Sequence, residues 1–305
     1  MSEAFRRGAA FSAKASTYQR PFYLIPHQDD EVPSGGIIQR LGTHTQFVWT
    51  TNGDGLYFQS DLNPHDYGEL RKAEAIKSVA ALGIPEENTK CLDFSEVEIY
   101  RRMAGLHDHS MSISDVRGFF EDFRDKVRAE VFRVRPDALF TLAYQGGQPE
   151  HDLTHFFTRL AVQDYEKETG ERVDFYNVPA YEYTILLALR FHPLYPGTRI
   201  RIRLTDEELE RKMGMLEAYP SQQQLFADFE KVFRYTGLAA RFIGRKITIE
   251  DFMRVEEFGP VPLGLDYTRP PHLFNYFSYM FDDFEGVPVT FKTSVLPIIK
   301  DFLPK

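Results

Sequence analysis

Residues 26 to 31 read Pro-His-Gln-Asp-Asp-Glu and follow the apolar run Phe22-Tyr23-Leu24-Ile25 without a gap. Three carboxylates (Asp29, Asp30, Glu31) and the His27 imidazole therefore crowd the end of what reads as a buried strand. Like charges packed together repel, and a divalent cation would offset that repulsion. The chain has one cysteine, Cys91, so no thiolate cluster is available and the ligands must be His, Asp or Glu. That donor set suits zinc or another divalent transition metal. Two ligands from this loop need a third, and His151 is placed to supply it from the start of a later helix. Three protein ligands with one open position form the catalytic arrangement. A spare carboxylate beside them can act as general base toward water. Taken alone, the same residues also suit a solvated turn with a helix N-cap, and an isolated His151 suits an ordinary polar residue. His155 shares a helix face with His151 and is an alternative ligand.

The elements that must position these residues follow from periodicity. FYLIP (22–26), TQFVWTT (45–51), KCLDF (90–94), DALFTLAY (137–144) and RVDFYNVPAY (172–181) read as five strands. Between the second and third lies a helix from Asp66 to Gly83, with Leu70, Ala73, Ile76, Val79 and Ala80 as its apolar face. Ser112 and Asp115 form a capping-box pattern before a longer helix whose stripe is Val116, Phe119, Phe120, Phe123, Val127 and Val131. Strand and helix alternating in this way predict a Rossmann-like α/β fold, its sheet mostly parallel and covered by helices on both faces. Beyond residue 183, YTILLALRF and TRIRIRL read as antiparallel strands, and Thr205 with Glu208 caps a helix to Ala218. After Pro260 the chain is rich in Tyr, Phe and Pro, including Tyr267, Phe274, Tyr276, Phe277, Tyr279, Phe281 and Phe284. Those aromatics suit core, an interface or a sugar-stacking wall. Ligands of open parallel sheets bind beyond the carboxyl ends of the strands. His27 to Glu31, NGDG (52–55), Asp93 and YQGGQPEH (144–151) all lie there.

Composition bounds the alternatives. The 305 residues are 43% hydrophobic, with 27 Phe and 16 Tyr, enough for a sizeable core. A net charge of −9 gives no general electrostatic footprint for nucleic acid. There is no apolar segment of membrane-spanning length and no signal-peptide pattern at the N-terminus, so a cytoplasmic location is expected.

The ordered motifs resemble the PIG-L/LmbE-like family of zinc-dependent de-N-acetylases. The carrying residues are HQDDE (27–31), TNGDG (51–55), RKAE (71–74) with LG (82–83), QPEH (148–151) and KMGMLEAYPSQ (212–222). The resemblance spans roughly residues 20 to 260. It implies a deacetylase domain over 1–260 and an aromatic- and Pro-rich extension over 261–305 packed on the same domain. It further implies zinc, or another divalent transition metal, on His27, Asp30 and His151, with Asp29 as general base. Arg71 is implied to contact substrate; taken alone it also suits a surface residue paired with Glu69 or Glu74. Asp93 is the remaining substrate-binding candidate.

The family pattern has Pro at 28 and His at 148, where this chain has Gln. Gln148 can donate a hydrogen bond to an oxyanion but not a proton. Asp29, or His107 or His109 from a loop after the third strand, is then the expected acid. Glu150 replaces an Asp and is expected to act behind a metal ligand, and Glu31 to orient the loop. The expected activity is hydrolysis of an N-acetyl or other N-acyl group on an amino sugar or glycoconjugate. An amidase acting on a natural-product or thiol-conjugate intermediate is the nearest alternative. A degenerate, non-catalytic carbohydrate-binding member of the fold is another. A nucleotide-binding Rossmann protein is disfavoured, since the loop after the first strand is acidic rather than Gly-rich. The expected partner is an N-acetylated small molecule or glycan, with a homo-oligomer left open.

Overall fold

A computed structural model describes residues 2–180, 189–192, 195–223, 249–271 and 279–304. Its centre is a seven-stranded sheet in the order β3-β2-β1-β4-β5-β7-β6. The strands are β1 (Pro21–Ile25), β2 (Gln46–Thr51), β3 (Thr89–Phe94), β4 (Ala138–Leu142), β5 (Asp174–Val178), β6 (Ile200–Arg203) and β7 (Val255–Pro260). β1 to β5 are mutually parallel, with Phe22 opposite both Gln46 and Leu139. β7 runs antiparallel to β5 and β6. All five residues of β1 and of β4 are buried, as expected of strands covered on both faces. The mostly parallel α/β architecture is thus present. TRIRIRL supplies β6, whereas its partner β7 had no clear pattern in the sequence. Residues 183–188 of YTILLALRF lie outside the described residues, as do Phe274, Tyr276 and Phe277.

The helices on the sheet are α1 (Glu3–Ala15), α2 (Gly35–Leu41), α3 (Pro64–Ala80), α4 (Glu96–His107), α5 (Ile113–Val134), α6 (Pro149–Thr169) and α7 (Asp206–Glu217). The capping boxes at Ser112 and Thr205 both form. α5 buries the expected stripe, apart from the half-buried Phe119. α3 departs from its expected face. Leu70 is 38% exposed and Ala73 and Ala80 are exposed, while Tyr67, Arg71, Glu74, Ala75, Ser78 and Val79 point inward. The buried side of this helix is partly polar because it serves the loop after β1, and hydrophobic periodicity cannot register that. LHDHS also differs from expectation. His107 is the last residue of α4, not part of a loop.

The chain after Pro260 is part of the same packed body. Tyr267 and Tyr279 are buried with α6, and Tyr279 donates to Asp152 Oδ2 at 3.0 Å. A small hairpin, β8 (Asp283–Phe284) with β9 (Val287–Pro288), is followed by a wide turn and α8 (Leu296–Phe302). Val289, Phe291, Val295, Ile298 and Ile299 all enter the core. Among the described residues, no helix is long and apolar enough to cross a membrane.

Candidate active site

The chain runs from β1 outward to β2 on one side and crosses to β4 on the other, so the sheet's switch point lies between β1 and β4. Crevices form at such points beyond the strand ends. The loop after β1 carries His27, Asp29 and Asp30. The segment after β4 carries Gln148, and the first turn of α6 carries Glu150 and His151. The fold thereby closes a separation of 124 residues. His27 Nδ1 lies 2.9 Å from His151 Nε2 and 3.3 Å from Asp30 Oδ2, and His151 Nε2 lies 3.6 Å from that same oxygen. A tetrahedral zinc with bonds of about 2.0–2.2 Å holds its ligand atoms roughly 3.3–3.5 Å apart. The observed spacings bracket that value. The three residues are buried, and their imidazole and carboxylate donors are the chemistry such an ion takes. The group fits a divalent metal.

Burial and neighbouring charges pull on these groups in opposite directions. The close contact of two imidazoles needs a hydrogen between them. Burial works against His27 carrying it, but Glu96 and Asp30 outweigh burial and raise its pKa well above the usual value. Burial lowers His151 to about 4, against the pull of Asp30. Burial likewise opposes ionisation of Asp30, yet His151 and His27 hold it below its ordinary value.

Asp29 lies beside this group and faces the cavity. Its backbone is held at φ 108°, a conformation unfavourable for a residue with a Cβ. Burial pushes its carboxyl up to about 7, against Arg71 and with the help of Asp30. Arg71 Nη2 donates to Asp29 Oδ2 at 3.0 Å and also to the Gln28 carbonyl. Arg71 Nη1 reaches Glu74 at 3.2 Å and Ser221 at 3.3 Å. Arg71 is only 4% exposed, so it is not the surface residue that its spacing to Glu69 and Glu74 allows. It lines the cavity with its guanidinium engaged by protein groups.

Glu31 is fully buried. It accepts from Ser78 Oγ at 2.7 Å, Trp49 Nε1 at 3.3 Å, the Asp29 N–H at 3.2 Å and the Tyr219 hydroxyl. Four donors from β2, α3, the loop itself and the segment after α7 therefore set the loop's path. The KMGMLEAYPSQ stretch does related work. Lys212 pairs with Glu256 of β7 at 2.8 Å, and Ser221 Oγ donates to Glu74 at 2.6 Å. Gln28 Nε2 donates to the Thr51 carbonyl at 2.8 Å, tying the loop to β2. Gly53 is required beside it. It has φ 78°, and a Cβ there would come within 2.3 Å of Gln28 Oε1 and 2.9 Å of Arg71 Cβ.

A cavity of about 530 Å³ rises from this floor. His27, Asp29, Arg71, Glu96, Gln148 and Glu150 form its polar side; Leu56, Tyr57, Phe58, Met280, Phe281 and Phe284 form an apolar one. The aromatic tail thus divides. Tyr267 and Tyr279 are core, whereas Phe281 and Phe284 face the cavity. Glu150 Oε1 meets His27 Nε2 at 3.0 Å, the place from which a carboxylate orients a ligating imidazole. Glu96 was not evident from its surroundings in the sequence. Asp54 accepts from the Glu96 and Val97 N–H groups at 2.7 and 3.2 Å, which anchors the start of α4 and brings Glu96 Oε1 to 3.8 Å from His27 Nε2. Its signal was the Ser95 N-cap just after β3.

Other candidates lie elsewhere. Asp93 is on the sheet's edge strand, its side chain 59% exposed and paired with Lys72 at 2.8 Å, and it does not line the cavity. His107 Nδ1 contacts Thr293 at 2.7 Å, and neither His107 nor His109 lines the cavity. His155 is buried, with Nδ1 bound to the Leu142 carbonyl at 2.7 Å and its ring among Tyr144, Phe175 and Tyr267.

Residues 22–162, which carry His27, Asp29, Asp30, Arg71, Glu96, Gln148, Glu150 and His151, match the model of the family GlcNAc-PI de-N-acetylase, PIG-L. This region of the chain is similar to the PIG-L family. The family's activity is de-N-acetylation, and that is the class of activity assigned to the chain. Among curated proteins, none matches its sequence. Solved structures do. A deacetylase of the teicoplanin biosynthesis pathway is 18% identical with a TM-score of 0.56, covering 79% of this chain and 97% of its own. A zinc-inhibited form of teicoplanin deacetylase Orf2 is 18% identical with a TM-score of 0.55, over the same shares of both chains. The A40926 pseudoaglycone deacetylase Dbv21 is 19% identical with a TM-score of 0.54, covering 81% of this chain and 98% of its own. At such identities the likeness is one of fold.

Proposed function

We propose that this chain is a zinc-dependent hydrolase that removes an N-acetyl group from an amino sugar or glycoconjugate. The observation that carries the reading is the His27, Asp30 and His151 donor group, which meets the cavity at His27, with the Asp29 carboxylate beside it. Zinc held there supplies Lewis acidity toward the acetyl oxygen and toward water. Asp29 takes a proton from the attacking water. Its raised pKa suits a base that later returns the proton. Arg71 holds the Asp29 carboxylate in place, a positioning role rather than direct substrate recognition. Gln148, 8% exposed and facing the cavity, donates an amide N–H to the developing oxyanion. Because the two candidate histidines of α4 and its following turn lie away from the cavity, the departing amine takes its proton from Asp29. The apolar flank accommodates whatever the sugar is attached to. Teicoplanin and A40926 pseudoaglycone are named for the similar structures, and a large conjugate is in keeping with the open rim at Phe58, 65% exposed.

The test is metal content by mass spectrometry of the wild type and His151→Ala, followed by turnover of N-acetylated sugars. About one zinc per chain in the wild type and little in the variant is the expected result. Equal metal in both removes His151 from the ligand set. A zinc-loaded wild type that is inert toward every N-acetyl sugar glycoside leaves a binding protein of this fold as the better reading.

A further inference from the structure

Asp29 is held from two sides, and both holds lead to one aromatic residue of the segment after α7. On the side-chain side, Arg71 Nη2 donates to Asp29 Oδ2 at 3.0 Å. On the backbone side, the Asp29 N–H donates to Glu31 Oε2 at 3.2 Å. Tyr219, fully buried, touches both partners. Its ring lies against the Arg71 guanidinium, whose central carbon is 5.1 Å from the ring centroid, within cation–π range. Its hydroxyl donates to Glu31 Oε1. Two residues further on, the same segment steadies Arg71 along its edge. The Ser221 N–H and Oγ donate to Glu74 at 2.9 and 2.6 Å, and Glu74 accepts from Arg71 Nη1 at 3.2 Å. These contacts answer a need at Asp29. Its φ of 108° persists only where the surroundings over-determine it. That angle is the rotation about the N–Cα bond, which separates the N–H held by Glu31 from the side chain held by Arg71. Fixing both ends fixes φ.

We propose that Tyr219 is the positioning residue of the general base. With its ring on Arg71 and its hydroxyl on Glu31, it keeps Asp29 in the strained conformation that aims the carboxylate at the attacking water. The part that concerns catalysis rests on the deacetylase reading; the hold on the Asp29 backbone does not.

The experiment compares the wild type with Tyr219→Phe, which keeps the ring and drops the hydroxyl, and Tyr219→Leu, which drops both. Zinc content, thermal midpoint and a crystal structure are taken for each, with kinetics on the octyl glycoside of N-acetylglucosamine. A misplaced catalytic group costs about 100-fold, so kcat should fall by about that factor in Tyr219→Leu and about 10-fold in Tyr219→Phe. KM and zinc per chain should stay as in the wild type. In the Tyr219→Leu crystal structure Asp29 should leave the positive-φ region. A lowered midpoint with kcat per zinc-loaded chain unchanged and Asp29 still at positive φ would show a merely structural tyrosine and overturn the proposal. So would a loss confined to KM. Should Tyr219→Leu not fold, an unchanged kcat in Tyr219→Phe overturns it by itself. A wild type inert toward the glycoside, with Asp29 relaxed in Tyr219→Leu, would keep the hold on Asp29 and sink the deacetylase reading. Wild-type kcat in both variants would keep that reading and sink the role of Tyr219.

Discussion

At the scale of single residues, two neighbouring aspartates have separate fates because their oxygens face different partners. Asp30 turns to the imidazoles of His27 and His151, while Asp29 turns to Arg71 and the cavity. Asp29→Asn should therefore keep its metal and its fold yet lose turnover by roughly 10²–10⁴-fold, because an amide cannot accept the water proton. Unchanged turnover would exclude Asp29 as base. A pH dependence belongs here as well. Neighbouring carboxylates, Glu96 foremost, raise the His27 pKa, and a metal takes an imidazole nitrogen only without its proton. Metal must expel that proton, so its affinity should weaken as pH falls and strengthen as pH rises. Calorimetry in buffers of different ionisation enthalpy should detect a proton released on binding; none released would show that the ligands are already unprotonated.

At the scale of elements, the site is held by polar contacts that cross between helices and strands. Lys212 of α7 and Glu256 of β7 are each about 1% exposed and pair at 2.8 Å. Glu256 also accepts from the Gly36 and Ile37 N–H groups at the start of α2, at 2.7 and 2.8 Å. Lys212→Met leaves that carboxylate buried without its cation, which should cost about 3–5 kcal/mol in chemical denaturation. A loss under about 1 kcal/mol would show that backbone donors alone suffice. Ser78→Ala removes one of four donors to Glu31. A smaller loss, about 1–2 kcal/mol, is expected, with metal binding retained.

At the scale of the whole molecule, the segment beyond Pro260 is structural as well as lining the cavity. Removing residues 286–305 would strip Val289, Phe291, Val295, Ile298 and Ile299 from the core. At about 1.5–3 kcal/mol for each buried side chain, the loss is comparable to the roughly 5–15 kcal/mol that holds a typical domain folded. The truncated chain should lose its near-UV circular dichroism. A cooperative melt near the full-length midpoint would make the extension dispensable.

Periodicity along the chain is enough to set the alternation of strand and helix, and with it the edge of the sheet on which polar loops gather. The sequence also set the ligand types, because one cysteine leaves only imidazole and carboxylate, and the motif order that marks the PIG-L family. Local patterns such as the Ser112 and Thr205 caps were legible because their partners lie three residues away. Only the tertiary structure placed β4 beside β1, and that adjacency joins His27 to His151. Only it turned Arg71 inward to hold Asp29, left Asp93 outward on an edge strand, and brought Glu96 and the 280–285 segment to the cavity. Those outcomes depend on which strands neighbour each other and which helix face meets the sheet. Such choices are settled by packing between distant segments, and hydrophobic periodicity along one segment carries no record of them.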